Sequence, residues 1–244
     1  MCTVTYIPTS DGFVFTSNRD EHPERETKEP KYYSEEGVDL FYPKDLKAGG
    51  TWIGLSQKNR LVCLLNGGFV YHDPQLKFPK SRGVIVKDLL KADVVLDTME
   101  SLNLEGFAPF TLLVVDWTVK LQVIQFTWCR QKKHIDILDA DLPAIWSSST
   151  LYTDQMKQDR EAWFKGFFGT TTQFNAKQIL MFHQNENLGC SQTSVKMKRD
   201  LVETVSTTQV YRQGKRVGLS YHDYLKNQSL DYGQVFDLTK VSRK

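Results

Sequence analysis

Cysteine is scarce in this chain of 244 residues. The four present, Cys2, Cys63, Cys129 and Cys190, stand far apart. No CxxC pair and no HExxH occurs, so a metal site has no support in the sequence, and reduced thiols in a cytosol are the expectation. Long hydrophobic runs are missing as well. Stretches such as Leu61–Leu65 and Thr111–Val115 are far too short to span a bilayer. The first residues lack the basic start and apolar segment of a secretory signal. Nor is there an excess of one charge: 31 Lys and Arg stand against 29 Asp and Glu, a net +2. That leaves no broad electrostatic footprint for nucleic acid. The expectation is a cytoplasmic protein with no cofactor, no membrane span and no nucleic-acid partner.

What is present is ordinary globular material, 40% apolar and 25% charged, long enough to bury a large core. Cys2–Ile7 and Phe13–Ser17 read as a hairpin around Pro8-Thr9-Ser10-Asp11-Gly12. The polar segment Pro23–Ala48, with three prolines, reads as a long loop holding a strand fragment at most. Trp52–Leu55 and Leu61–Leu65 read as strands, and Asn66-Gly67-Gly68 ends the second. After Ser81-Arg82-Gly83, apolar residues from Val84 to Met99 recur at helical spacing. Thr111–Val115 with Leu121–Phe126, and Thr204–Arg212 with Arg216–Tyr221, read as further hairpins. Gln155–Phe168 and Ala176–Asn187 read as helices, the first with Met156, Trp163, Phe164 and Phe167 near one face. Strand pairs separated by helical blocks, without an internal repeat, favour one α+β layered domain over residues 1–244.

The first hairpin carries the chemical argument. If Ser10-Asp11 forms the turn, Cys2 lies opposite Arg19 and Thr3 opposite Asn18. If Asp11-Gly12 forms it, Cys2 lies opposite Glu21 and Thr3 opposite Asp20. Either way a thiol, a guanidinium and two carboxylates gather beside the chain start, since directly opposed side chains have Cβ atoms about 5 Å apart. Methionine is usually trimmed before a small residue, which would make Cys2 the first residue. A nearby Arg favours its thiolate. The freed α-amine, with a reference pKa of about 7.7–8.0, could take the thiol proton. A carboxylate would hold that amine, and Asn66 could donate to a developing oxyanion. Each residue also has a plain structural reading: a small buried thiol, a solvated charge cluster, a turn asparagine. The five histidines stand isolated and read as surface or internally satisfied.

Ser17-Asn18-Arg19-Asp20-Glu21 resembles the signature of the NRDE family, also called the transport and Golgi organisation protein two family. The Met1-Cys2 start resembles it too, as do Gly49-Gly50-Thr51-Trp52-Ile53-Gly54-Leu55-Ser56, Asn66 after a hydrophobic strand, Ser81-Arg82-Gly83, and Thr204-Val205-Ser206-Thr207-Thr208. The resemblance implies a four-layer α-β-β-α sandwich related to N-terminal-nucleophile hydrolases, with a start similar to choloylglycine and penicillin V acylases. It assigns amide attack to Cys2, flanking roles to Arg19 and Asp20, and part of an oxyanion hole to Asn66. Two positions depart from the pattern. Ser148, within Ser147-Ser148-Ser149, stands where relatives carry asparagine, and Val205 stands where many carry arginine.

Three functions stay open at this point. One is a cysteine amidohydrolase or acyltransferase acting on a small-molecule acyl amide or thioester. Another is a non-catalytic ligand-binding or trafficking protein for lipid, acyl thioester or haem. The third is a structural domain in which Cys2 is merely packed.

Overall fold

A computed structural model of the chain describes residues 3–69, 78–168 and 174–236. Cys2 therefore lies outside the described residues. In chain order the elements are β1 (Thr3–Thr9), β2 (Gly12–Glu21), β3 (Thr27–Glu35), β4 (Val38–Asp45), β5 (Ile53–Ser56) and β6 (Arg60–Asn66). Helices α1 (Gly83–Lys91) and α2 (Val95–Ser101) come next. Four strands follow: β7 (Phe110–Asp116), β8 (Gln122–Trp128), β9 (Lys133–Leu138) and β10 (Ala144–Ser147). The chain continues with α3 (Asp154–Phe168), α4 (Ala176–His183), β11 (Glu203–Gln213), β12 (Arg216–Asp223) and β13 (Gln228–Tyr232). None of these helices is long and apolar enough to cross a membrane.

Among the described residues the chain divides into two compact units, one formed by those up to Glu24 with 141–236, the other by Arg25–Ala140. The first unit holds a sheet in the order β10-β1-β2-β11-β12-β13. Ile7 and Val14 from this sheet pack with Phe164 and Phe168 of α3 and Ile179 and Phe182 of α4. The aromatic rings interlock, with Phe168 and Phe182 centroids 5.5 Å apart. Asn175 closes the start of α4 with a reciprocal capping box to Gln178, which satisfies two otherwise orphaned N–H groups. On α3 the buried residues are Arg160, Phe164 and Phe168. Phe167, expected on the inner face, is 40% exposed, one position off the stripe.

The second unit holds a sheet in the order β3-β4-β5-β6-β7-β8-β9. Here the structure corrects the reading of Pro23–Ala48 as a loop: most of it is the hairpin β3–β4. Its two-residue turn is Glu36-Gly37, both with positive φ, the geometry that matches strand twist. Pro30 did not prevent pairing, because β3 is an edge strand and Pro30 falls at a register shift between Lys28 and Lys31, where a missing N–H is tolerated. The helical pattern from Val84 to Met99 is split into α1 and α2. Ala92 turns extended after α1, and Arg60 Nη1 donates to the Leu89 and Ala92 carbonyls at 2.8 and 2.6 Å. The same guanidinium pairs with Asp116 at 2.6 Å in the interior.

Two glycine-bearing runs noted in the sequence meet in this unit. A Cβ on Gly50 would lie 3.1 Å from the Gly83 backbone, and one on Gly83 would lie 3.0 Å from the Thr51 carbonyl oxygen. Thr51 Oγ1 bonds the Pro43 and Ile53 carbonyls at 2.7 Å each, so the Gly49–Trp52 turn cannot easily give way. Alanine is the better helix former by about 1 kcal/mol, but overpacking a fixed backbone contact costs about 1–3 kcal/mol. Gly83→Ala, at the first position of α1, should therefore lower the thermal midpoint by several degrees. A raised midpoint in a melting experiment would contradict this packing.

Candidate active site

Strand β2 runs between β1 and β11 and is buried along nearly its whole length. Val4 pairs with Ser17 and Thr9 with Gly12, so the hairpin follows the register with Ser10-Asp11 as its turn. On the other side Asn18 pairs with Thr207, Arg19 with Ser206 and Asp20 with Thr204. Asn18, Arg19 and Asp20 are thus interior residues of a central strand, at 0%, 3% and 0% exposure. Buried polar groups at such positions must find partners or be destabilising.

Asp20 finds them far away in sequence. Thr204 Oγ1 donates to Asp20 Oδ1 at 2.6 Å, and the Tyr152 hydroxyl donates to Oδ2. Thr204 Oγ1 is itself oriented by the Met197 N–H at 3.0 Å. The Arg160 guanidinium carbon lies 3.8 Å from the Tyr152 ring centroid, and that of Arg199 lies 5.6 Å away. Burial pushes the Asp20 carboxyl above the usual carboxylate range, while the Thr204 and Tyr152 hydrogen bonds and the Arg160 charge pull it back. The Tyr152 hydroxyl is held protonated by burial and by the Asp20 charge.

Asn18 ties the same strand to α4. Its Nδ2 donates to the His183 and Val195 carbonyls at 2.9 Å each. Its Oδ1 accepts from Thr207 Oγ1 at 2.8 Å and lies 3.2 Å from His183 Nδ1. The other imidazole nitrogen, Nε2, lies 2.8 Å from Thr5 Oγ1. Asn18 and Asp20 therefore share the face of the sheet that α4 covers, and strand alternation turns Arg19 to the opposite face.

Ser148 follows β10, whose Ser147 pairs with Thr3. It is buried, and its Oγ lies 3.2 Å from Thr150 Oγ1. Its carbonyl accepts from the Leu151 and Tyr152 N–H groups at 3.4 and 3.2 Å, which links Ser148 to Asp20 through Tyr152. Val205 sits at the irregularity where β11 shifts register against β2, a local bend of the kind often found beside functional sites. Arg199, four residues before Glu203 in β11, reaches the Leu151 carbonyl at 3.2 Å instead. Asn66 belongs to the other unit, at the end of β6 opposite Phe110. Gly67 follows with φ 90° and donates to the Pro109 carbonyl at 3.0 Å, and Arg82 Nη1 reaches the same oxygen at 3.0 Å. The Asn66 turn and the Ser81-Arg82-Gly83 turn are thus joined. Arg19, Asp20 and Ser148 gather in one unit. Tyr152, Arg160 and His183, which complete the network, carried no local signal in the sequence, and the run beginning at Thr204 gave no sign that its hydroxyl meets Asp20. No group of residues able to hold a metal ion occurs among the described residues.

Solved structures with a similar architecture include several N-terminal-nucleophile hydrolases. A variant of conjugated bile acid hydrolase from Clostridium perfringens superposes with a TM-score of 0.56 at 12% identity, covering 98% of this chain and 93% of that one. The Caenorhabditis elegans N-acylethanolamine-hydrolyzing acid amidase orthologue gives a TM-score of 0.59 at 14% identity, covering 85% and 92%. Penicillin V acylase from Agrobacterium tumefaciens gives 0.57 at 13% identity, covering 98% and 87%. The fold is therefore the α+β N-terminal-nucleophile hydrolase type. Residues 1–228 match the Transport and Golgi organisation 2 family, and the chain belongs to it. The human Transport and Golgi organization protein 2 homolog is 30% identical over an alignment of 112 positions that covers 42% of this chain and 38% of that relative.

The buried imidazole gives a test of the network around β2. Burial pushes His183 down to about 3 from the ordinary 6.5. Between these values the unfolded chain binds a proton that the folded chain refuses. Stability from this residue is therefore complete above pH 6.5 and is lost as pH falls toward 3, with a slope of at most about 1.4 kcal/mol per pH unit. In urea unfolding between pH 7 and pH 4.5, His183→Gln should show a distinctly smaller loss than wild type. Parallel losses would mean that the imidazole titrates normally.

Proposed function

We propose that the chain is a cysteine N-terminal-nucleophile amidohydrolase or acyltransferase acting on a small amide or acyl thioester, with Cys2 exposed by removal of Met1. One observation carries the reading: a buried Arg-Asp pair lies on the strand that neighbours the chain start, in the register that favours this chemistry. The ladders Val4–Ser17 and Thr3–Ser147 bring Arg19 and Ser148 to the end of the sheet at which the described chain begins. The reading treats residues 1–244 as one functional domain, because the unit holding Arg19 and Asp20 draws strands from both parts of the chain.

In this mechanism the α-amine takes the Cys2 thiol proton while Asp20 holds the resulting ammonium. The thiolate adds to the substrate carbonyl carbon, and the carbonyl π electrons move onto oxygen. Ser148 and Asn66 are assigned to that oxyanion, Asn66 on the family resemblance. Arg19 favours the thiolate. Collapse of the tetrahedral intermediate expels the leaving group, which takes the proton from the ammonium and leaves an acyl thioester on Cys2. Water, or an acceptor amine, then adds to that thioester and releases the free thiol.

The mature protein should begin at Cys2 by intact mass, and iodoacetamide should label Cys2 faster than Cys63, Cys129 or Cys190. Against a panel of acyl-amino acids, bile-salt-like amides and acyl thioesters, Asn66→Ala should cut turnover about 100- to 1,000-fold with little change in binding, because an oxyanion donor acts on charge present only in the transition state. Ser148→Ala should do the same more weakly. If a panel member binds tightly without turnover, and Cys2→Ala leaves that affinity unchanged, the protein is a ligand carrier on a hydrolase fold.

A further inference from the structure

We infer that Tyr152 is a positioning residue for the proposed nucleophile: its hydroxyl aims and holds the Asp20 carboxylate, and Arg160 behind its ring balances the charge. The inference rests on the reading of Cys2 as an N-terminal nucleophile, and it adds residues that neither the family resemblance nor the sequence singled out.

The geometry is specific. The two oxygens of Asp20 are used separately, Oδ1 by Thr204 at 2.6 Å and Oδ2 by Tyr152, so the carboxylate plane is set from both sides. Tyr152 lies 132 positions along the chain from Asp20 and is brought there by the turn that begins at Ser148, whose carbonyl binds the Tyr152 N–H. Arg160 is fully buried and gives its donors to carbonyls, Ser194 at 2.8 Å and Met156 at 3.4 Å. Its Nε has no partner among the described residues, and it forms no ion pair there. A buried cation without a contacting carboxylate is costly unless a nearby charge offsets it. Asp20 is that charge, with the Tyr152 ring between them. A buried carboxylate needs the same support to remain ionised, because desolvation favours its neutral form and donated hydrogen bonds favour its charged form.

The functional consequence follows from charge. An ionised Asp20 stabilises the α-ammonium, and so the thiolate–ammonium pair over the neutral thiol and amine. Loss of the Tyr152 hydroxyl raises the carboxyl's affinity for a proton, weakens the ammonium's partner and raises the pH at which Cys2 ionises. Other charges near this cluster are Arg160 on α3, Arg199 before β11, Glu21 on β2, and Glu203 on β11 with Lys198 at 3.4 Å. His183 on α4 is reached through Asn18 and stays neutral over the working range. Tyr152→Phe alters none of these and keeps the ring over Arg160.

The test is the pH profile of Cys2 alkylation by iodoacetamide, read by peptide mapping on the full chain. Tyr152→Phe should move the midpoint upward by about half to one pH unit, Asp20→Asn should move it at least as far, and Tyr152→Phe placed in the Asp20→Asn background should add nothing. Replacing Tyr152 by 3-fluorotyrosine, a stronger donor of nearly the same size, should move the midpoint downward and tests the same point should Tyr152→Phe fail to fold. An unmoved midpoint in Tyr152→Phe or 3-fluorotyrosine protein, or an undiminished shift in the Asp20→Asn background, overturns the inference while Cys2 remains a preferentially labelled thiol. If wild-type Cys2 is not preferentially labelled, the reading of Cys2 itself fails, and the inference with it.

Discussion

A central strand that carries charge in its interior must be supplied with partners from elsewhere, and β2 is such a strand. Asn18, Arg19 and Asp20 lie between β1 and β11, shut away from water. Their requirements shape the unit around them. Asn18 fixes α4 and the Val195 segment through the His183 and Val195 carbonyls. Asp20 draws in the Ser148–Tyr152 turn and Thr204. Three buried polar residues in the middle of a sheet weaken its hydrophobic core, and a strand of Val and Ile would have been easier to stabilise. That Asn18 and Asp20 are held by partners from distant segments is what makes the strand a candidate for chemistry rather than a packing element.

The alternation of β2 sorts the roles. Asn18 and Asp20 face α4, where they are locked by hydrogen bonds, and Arg19 faces the other way. The proposed mechanism uses this sorting, with the cation on one face and the carboxylate on the other and no direct pair between them. In the second unit the glycine-bearing turns behave differently. Gly50 against Gly83, and Gly67 with Arg82 on the Pro109 carbonyl, are close backbone contacts that stiffen the ground beneath Asn66.

Much of this was legible because it was local. Pro8 to Gly12 announces a turn, and counting outward from it gives two registers, one of which the sheet adopts. The late hairpin around Gln213–Lys215 was equally plain. What escaped the sequence depended on distant partners or on sheet position. Pro30 and the charges of β3 suggest a loop until the strand is known to lie on an edge. The Val84–Met99 pattern looks continuous because the break at Ala92 is stabilised by Lys58 and Arg60 from another element. Tyr152 and Thr204 reach Asp20 across 132 and 184 positions, and His183 meets Thr5 across 178. No spacing rule reports such meetings.

The central claim is that β2 and its partners support a thiol that attacks an acyl group. Its most direct measurement is the mass of protein quenched in acid seconds after mixing with an acyl thioester, with the modified peptide then mapped. The account predicts one added acyl group, carried by Cys2 and lost again on longer incubation. An acyl group found on Cys63, Cys129 or Cys190, or no acyl group with any reagent that binds, would contradict it.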